Sequence, residues 1–124
     1  AKNKALNDAF NAGMAAYTAK DYATAITEFQ KAAEAGPTQH VVWANLADSY
    51  VQTATGKTGA EFDTNMEKGI EAYKKAMELE PTNAGYKNNL ALAYAKGKKY
   101  DEAMKMFDQA AAANPTEAGK YYFN

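Results

Sequence analysis

Residues 84–117 read AGYKNNLALAYAKGKKYDEAMKMFDQAAAANPTE, and this stretch decides the fold. Gly97 divides it into two alanine-rich halves, and Pro115 follows the second half closely. Alanine favours helix, while Gly and Pro are typical of helix ends, so the pattern predicts two helices over 84–96 and 100–113. Neither half alternates apolar and polar residues as a strand does. The stretch therefore predicts an antiparallel pair of helices.

The same pattern occurs three times along the chain. The prolines Pro37, Pro81 and Pro115 lie 44 and 34 residues apart, and each is followed by Thr. Eight residues before each proline is an aromatic residue, five before is alanine, and twelve before is a small residue. The aromatic residues are Phe29, Tyr73 and Phe107, the alanines are Ala32, Ala76 and Ala110, and the small residues are Ala25, Gly69 and Ala103. We expect an all-α fold with helix pairs 4–19 and 22–35, 38–54 and 59–80, 84–96 and 100–113.

Composition excludes several classes of function. The 124 residues are 47% hydrophobic and 23% charged, with net charge -1, as in one globular domain. All 14 basic residues are lysine, so bidentate arginine contacts with phosphate are missing and we expect no nucleic-acid partner. With no Cys, a single His40 and a single Ser49 without a nearby base, we expect no metal site, cofactor or catalytic residue. No apolar run approaches the roughly 20 residues of a membrane span.

The spacing resembles the tetratricopeptide repeat family, whose unit of about 34 residues reads W-x2-L-G-x2-Y, A-x3-F, P. The third repeat fits with Leu90, Tyr94, Ala103 and Phe107, but departs at Lys87 and Ala91. The second carries Trp43, Leu46 and Tyr50, and the first begins weakly with Ala9, Ala12 and Gly13. The resemblance implies an α-solenoid of antiparallel helix pairs forming a right-handed superhelix. It implies one domain over 1–124, with repeats at 4–37, 40–83 with a ten-residue insertion, 84–117, and a partial fourth repeat at 118–124.

The resemblance also implies a concave groove lined by the first helix of each pair. Counted back from the proline of each repeat, and allowing for the ten-residue insertion, the same position is asparagine in all three: Asn11, Asn45 and Asn89. A side-chain amide has one acceptor and two donors, so such a row can hold an extended peptide backbone. Neighbouring helices lie about 8–10 Å apart, close to three extended residues of about 3.3 Å each. The alternative is that asparagine is only frequent at this place in the family.

Other groove positions would determine specificity. They are Asn7, Phe10, Met14 and Tyr17 in the first repeat, Val41, Asp48 and Gln52 in the second, and Asn88, Leu92 and Lys96 in the third. Phe10, Met14 and Tyr17 form an apolar cluster suited to a hydrophobic side chain, while Asp48 and Lys96 supply single charges. Alternatively, Phe10 and Met14 belong to the core of a terminal repeat.

Chaperone co-factors of this family grip a terminal carboxylate with a Lys-Asn-Asn-Lys-Arg clamp. Only Asn45 fits that clamp here, because the other places hold Phe10, Met14, Gly85 and Asn89. We therefore do not expect a co-chaperone. We expect a non-catalytic protein–protein interaction module that binds an extended peptide segment of a partner protein in its groove.

The alternative function is an assembly scaffold. The last residues enter the first helix of an incomplete fourth repeat, which would leave Tyr121, Tyr122 and Phe123 as a self-association edge and favour a homo-oligomer. Compartment is left open, although the absence of Cys and a first residue of Ala favour a processed, exported bacterial protein.

The insertion at 53–63 predicts a loop followed by a lengthened helix. It contains Gly56-Lys57-Thr58, which matches the end of a phosphate-binding loop, but Val51 stands where that motif needs Gly, and no strand precedes it. We therefore interpret it as a helix–helix connection, with Thr58 and Glu61 at capping-box spacing. Asp21 and Thr38 are predicted to cap other helices.

Overall fold

The computed structural model describes residues 2–113, with side chains described for 3–109. Within this range the chain forms only helices, and all six are α-helical. They are α1 (Lys2–Thr18), α2 (Tyr22–Ala35), α3 (His40–Thr55), α4 (Gly59–Leu79), α5 (Ala84–Lys96) and α6 (Tyr100–Ala113). The expected all-α class and the three helix pairs are confirmed. Tyr121, Tyr122 and Phe123, together with the expected partial fourth repeat, lie outside the described residues.

Each helix packs mainly against the helices that precede and follow it, and most extensively within the pairs α1–α2, α3–α4 and α5–α6. The repeated aromatic positions form the centre of the core. Phe29 is 0% exposed, Tyr73 4% and Phe107 2%. Because each pair buries its apolar face against the next pair, the result is a helical repeat solenoid.

Two glycines allow helices to approach closely. A Cβ atom placed on Gly13 would lie 2.6 Å from Cδ1 of Phe29, and one on Gly69 would lie 2.9 Å from Cγ2 of Val51. Real Cβ atoms do not come that close to a neighbour, so these positions require glycine unless the neighbour moves. Gly13 therefore allows the Phe29 ring on α2 to pack directly against the backbone of α1.

The turns after α1 and α5 have the same geometry, although they belong to different pairs. Lys20 and Lys98 have φ of 63° and 64°, in the left-handed region. The next residue then donates from its backbone N–H five residues back: Asp21 to Ala16 at 2.8 Å, and Lys99 to Tyr94 at 2.8 Å. This is the Schellman type of helix end, which usually has Gly at the left-handed position.

The expected helix caps are only partly correct. Asp21 caps α2, since its carboxylate accepts a hydrogen bond from the Thr24 N–H at 3.2 Å. The prediction for Thr38 was wrong, because Pro37 and Thr38 form a turn and Gln39 occupies the position before α3. Thr58 stands at the N-cap of α4, but its side chain makes no capping hydrogen bond.

The connection within the insertion is short, as the predicted helices over 38–54 and 59–80 require. α3 continues to Thr55 and α4 begins at Gly59, so only residues 56–58 connect them. The expected lengthening of the second helix is confirmed, since α4 has 21 residues whereas α2 and α6 have 14 each. The second pair is therefore longer than its neighbours.

Candidate functional site

α1, α3 and α5 share one surface of the solenoid. Tyr17 on α1 donates a hydrogen bond from its hydroxyl to the Asp48 carboxylate on α3. At the other end of α3, Nδ1 of His40 lies 2.7 Å from the hydroxyl oxygen of Tyr86 on α5. Side-chain contacts therefore connect α3 to α1 on one side and to α5 on the other. We call the surface formed by the predicted groove residues of these three helices the groove surface.

Each of the three helices exposes one large apolar side chain among the predicted groove residues. Met14 on α1 is 37% exposed, Val41 on α3 46% and Leu92 on α5 41%. Each lies within about one helical turn of an asparagine of the predicted row. A single exposed apolar residue is ordinary on a protein surface. Met14 and Leu92 each follow an asparagine of the row by three residues, whereas Val41 precedes Asn45 by four and Asp48 occupies the equivalent place in the second repeat.

None of the predicted groove residues is buried. The other exposed ones are Asn7, Asn11, Asn89 and Lys96, and the partly buried ones are Phe10, Tyr17, Asn45, Asp48, Gln52 and Asn88. Phe10 also contacts the core, with its ring centroid 5.9 Å from that of Phe29. Of the two alternatives for the first repeat, the core position fits Phe10, which packs on the core, and the groove position fits Met14, which stays exposed.

Asp48 is the polar centre of the groove surface. Its carboxylate accepts the hydrogen bond from Tyr17, and Oη of Tyr73 on α4 lies 3.5 Å from Oδ1. Burial, followed by the hydrogen bond and negative charge of Asp48, raises the pKa of Tyr17, and a hydrogen bond with Gln52 opposes that rise. Burial and the charge of Asp48 also raise the pKa of Tyr73. Both hydroxyls therefore stay protonated as donors to this carboxylate at neutral pH.

The three asparagines of the row differ in which of their hydrogen-bonding groups are free. Asn45 donates from Nδ2 to the carbonyl of Val41 at 3.0 Å, which leaves its other N–H and its Oδ1 for a ligand. No hydrogen bond joins the amides of Asn11 or Asn89 to any other described residue. Asn88, next to Asn89, differs again, because its Oδ1 is buried without a partner within the described part of the chain.

Two contacts at this surface were not expected from the sequence. Tyr73 occupies a core position of the repeat, and only its hydroxyl reaches Asp48. His40, considered in the sequence only as a metal ligand, contacts Tyr86 and lies 3.7 Å from Oε2 of Glu80.

Among the described residues there is no group of three His, Asp or Glu side chains arranged to hold a metal ion. Among the described helices, none combines the length and the apolar composition that a membrane span requires.

Comparisons with known proteins agree with this architecture. Two family models described as tetratricopeptide repeat match residues 9–40 and 64–122. The protein STIP1 homolog of Dictyostelium discoideum is 31% identical over 107 residues, which are 86% of this chain and 17% of that protein. The chain thus spans less than a fifth of the length of this curated relative.

Solved structures with the same fold are more distant in sequence. The TPR domain of Arabidopsis OM64 superposes with a TM-score of 0.80 at 18% identity, covering 97% of this chain and 92% of that one. MamA from Desulfovibrio magneticus RS-1, residues 41 to the end, gives a TM-score of 0.75 at 21% identity, covering 88% and 56%. At this level of identity the likeness shows the fold alone.

Proposed function

This chain belongs to the tetratricopeptide repeat family, and we propose that it is a non-catalytic interaction module that binds an extended peptide segment on its groove surface. Tetratricopeptide repeats are generally protein–protein interaction modules without catalytic activity. The proposal adds to this general role that the ligand is a peptide and that it binds on the groove surface.

One observation carries the proposal: every first helix exposes a large apolar side chain within about a turn of an asparagine. The apolar members are Met14, Val41 and Leu92, and the amides are Asn11, Asn45 and Asn89. Amides bind the N–H and C=O groups of a peptide backbone, whereas exposed apolar side chains gain free energy when a ligand covers them. Side by side, the two kinds of group suit a peptide that offers both.

The charges of the surface favour a ligand of little net charge. Asp48 is already engaged by Tyr17 and Tyr73, and Lys96 near the end of α5 is exposed without a close carboxylate among the described residues. The groove surface lacks the lysines of the clamp that grips a terminal carboxylate, so an internal segment of the partner fits as well as a chain end. We expect an affinity of the order of micromolar, about 8 kcal/mol, from so short a surface.

The test begins with peptide phage display on the whole chain, followed by binding curves for the selected peptides. In the variant Val41→Asp/Leu92→Asp, we expect affinity to fall at least about tenfold, because two apolar contacts are replaced by charges. The matched control is Tyr100→Asp/Met104→Asp, which alters the other two exposed large apolar side chains in the described range, both on α6.

Asn45→Ala tests the role of the amide row separately. We expect it to weaken the selected peptides by about five- to tenfold, the usual effect of one hydrogen bond, with little change in thermal stability. Circular dichroism verifies that every variant folds. If the peptides bind Val41→Asp/Leu92→Asp as tightly as the unaltered chain, or if the α6 control weakens them equally, the groove surface is not the binding site.

The alternative of self-association through Tyr121, Tyr122 and Phe123 stays a prediction, because these residues lie outside the described range. Light scattering at several concentrations, on this chain and on one ending at Glu117, tests it. An oligomer that becomes monomeric on shortening would support the scaffold role.

A further inference from the structure

A second concave surface lies on the opposite side of α3. α2 and α4 both pack on α3 and leave between them a cavity of about 970 Å³. Its floor is formed by Trp43, Leu46 and Tyr50 of α3. At about 100° per residue, this stripe is centred roughly 160° around the helix from the predicted groove residues of α3. We call this cavity the α2–α4 cleft.

The walls of the cleft carry polar groups, most of which are already engaged. Gln30 on α2 donates from Nε2 to the hydroxyl of Tyr50 at 2.6 Å. Nζ of Lys68 on α4 lies 5.8 Å from the centre of the Tyr50 ring, as in a cation–π contact. Farther along α4, Lys75 lies 3.9 Å from Glu78. These groups have partners that a ligand need not replace.

Two carboxylates lining the cleft are not engaged. Glu34 on α2 and Glu67 on α4 are both exposed, and neither forms an ion pair within the described part of the chain. They lie on opposite walls, with the apolar floor between them. A ligand complementary to this arrangement has apolar side chains in the middle and positive charges on both sides.

The shape of the cleft favours a helix as that ligand. The floor extends from Trp43 to Tyr50, which is about 10 Å or two helical turns at 1.5 Å per residue. Its members follow helical spacing, and the volume holds several large side chains. An amphipathic helix lying in a groove between two helices presents apolar residues at the same spacing.

We propose that the α2–α4 cleft binds the apolar face of a short amphipathic helix, rich in lysine or arginine, from a partner protein. Leu46 and the Trp43 and Tyr50 rings contact the apolar face of that helix, and Glu34 and Glu67 attract its flanking cations. The cleft faces away from the groove surface, so this site is independent of the proposed peptide groove.

Trp43 makes the proposal directly measurable, because it is the single tryptophan of the chain and lies in the floor of the cleft. The probe is a capped peptide of about 14 residues with leucines at helical spacing, lysines elsewhere, and no Trp or Tyr. We expect it to shift the Trp43 emission to the blue with a Kd of the order of tens of micromolar. A peptide with glutamate in place of lysine should bind at least about tenfold more weakly.

Charge reversal locates the binding. In Glu34→Lys/Glu67→Lys, we expect the affinity of the lysine peptide to fall at least about tenfold. Asp63→Lys/Asp108→Lys makes the same change in net charge at exposed residues that do not line the cleft, and should have little effect. The groove variant Val41→Asp/Leu92→Asp should bind the lysine peptide normally, which separates this test from that of the proposed function.

Several results would overturn the proposal. One is an unchanged Trp43 emission at saturating peptide, and another is an equal loss of affinity in the two charge-reversed variants, which would indicate non-specific attraction. Equal binding of a scrambled peptide without an apolar face would exclude a helical ligand. A blue shift that grows with the concentration of the chain alone would identify a second copy as the occupant.

Discussion

At the scale of single residues, the most heavily used side chain of the groove surface is Asp48. It accepts a hydrogen bond from Tyr17 on a preceding helix and lies 3.5 Å from the hydroxyl of Tyr73 on the following one. One carboxylate therefore connects three helices. A substitution there acts on the pKa of both phenols and not only on the charge of the groove.

Asp48→Asn should lower the pKa of Tyr17 and Tyr73 towards the ordinary tyrosine value of about 10, because it removes a negative charge that disfavours phenolate. Burial raises both pKa values further and is the largest cause, so neither should become fully ordinary. NMR of tyrosines labelled at Cζ, followed through alkaline pH, measures this. Tyr100, which is 59% exposed, is the internal control, and its titration should not change.

The same pKa shifts make stability depend on pH. In the folded chain Tyr17 and Tyr73 hold their protons more tightly than in the unfolded chain, so folding is favoured most below pH about 10. Above that value the unfolded phenols ionise first, and the free energy of unfolding falls. Above pH about 10, the denaturation midpoint should decrease more steeply with pH in the unaltered chain than in Asp48→Asn. An equal or shallower decrease in the unaltered chain would contradict this assignment.

At the scale of helices, close approach between neighbours depends on small residues. Phe29 is 0% exposed and packs against Gly13, where no side chain intervenes between α1 and α2. Helix propensity alone would favour alanine at Gly13 by about 1 kcal/mol. Packing opposes this preference, because a methyl group there would overlap the fully buried Phe29 ring.

Gly13→Ala should therefore destabilise the chain by about 1–2 kcal/mol, as overpacking exceeds the gain in helix propensity. Gly97→Ala is the matched control. A Cβ atom on Gly97 would lie 3.5 Å from its nearest neighbour, and the φ of Gly97 is -82°. We therefore expect little change or a slight gain in stability. Urea denaturation of both variants measures the difference, and equal stabilities would show that Phe29 adapts.

Most helices could be predicted because their ends carry local signals. Gly36, Pro37 and Gly97 stand where helices end, and the repeated aromatic residues mark the core face. Contacts between distant segments could not be predicted in this way. Helical periodicity places Tyr73 on the core face, but it does not show that the hydroxyl extends to Asp48.

Local conformation was also missed where the residue type gives no signal. Lysine rarely adopts the left-handed conformation, so nothing in Lys20 or Lys98 indicates the shared helix end. The α2–α4 cleft was missed for a different reason. Trp43 and Tyr50 are family motif positions, and the pattern identifies them as core without showing that Trp43 stays partly exposed or that α2 and α4 leave a cavity over both residues.

At the scale of the whole molecule, apolar packing is continuous through the three pairs, but few side-chain hydrogen bonds between described residues join one pair to the next. Between the second and third pairs, the His40 ring contacts Tyr86, with ring centroids 5.6 Å apart and the hydroxyl 2.7 Å from Nδ1. In an array where each pair is stabilised by its neighbours, such a contact determines how strongly the pairs unfold together.

Tyr86→Phe should uncouple the third pair in part. It removes the hydroxyl partner of His40 but keeps the ring, at a cost of about 1 kcal/mol. Hydrogen exchange should show faster local opening of α5 and α6 with little change in α1 and α2. Tyr100→Phe, at an exposed residue, is the control. Equal loss of protection in all six helices would show instead that the array unfolds as one cooperative unit.

The packing of each helix against its neighbours in sequence also has a kinetic consequence. In the described part of the chain, the extensive helix contacts join only consecutive helices, so no large loop has to close before packing begins. Proteins with such local contacts fold in about microseconds to milliseconds. Ribosomes add roughly 5–20 residues per second, so each helix pair has time to form before the next one has been synthesised.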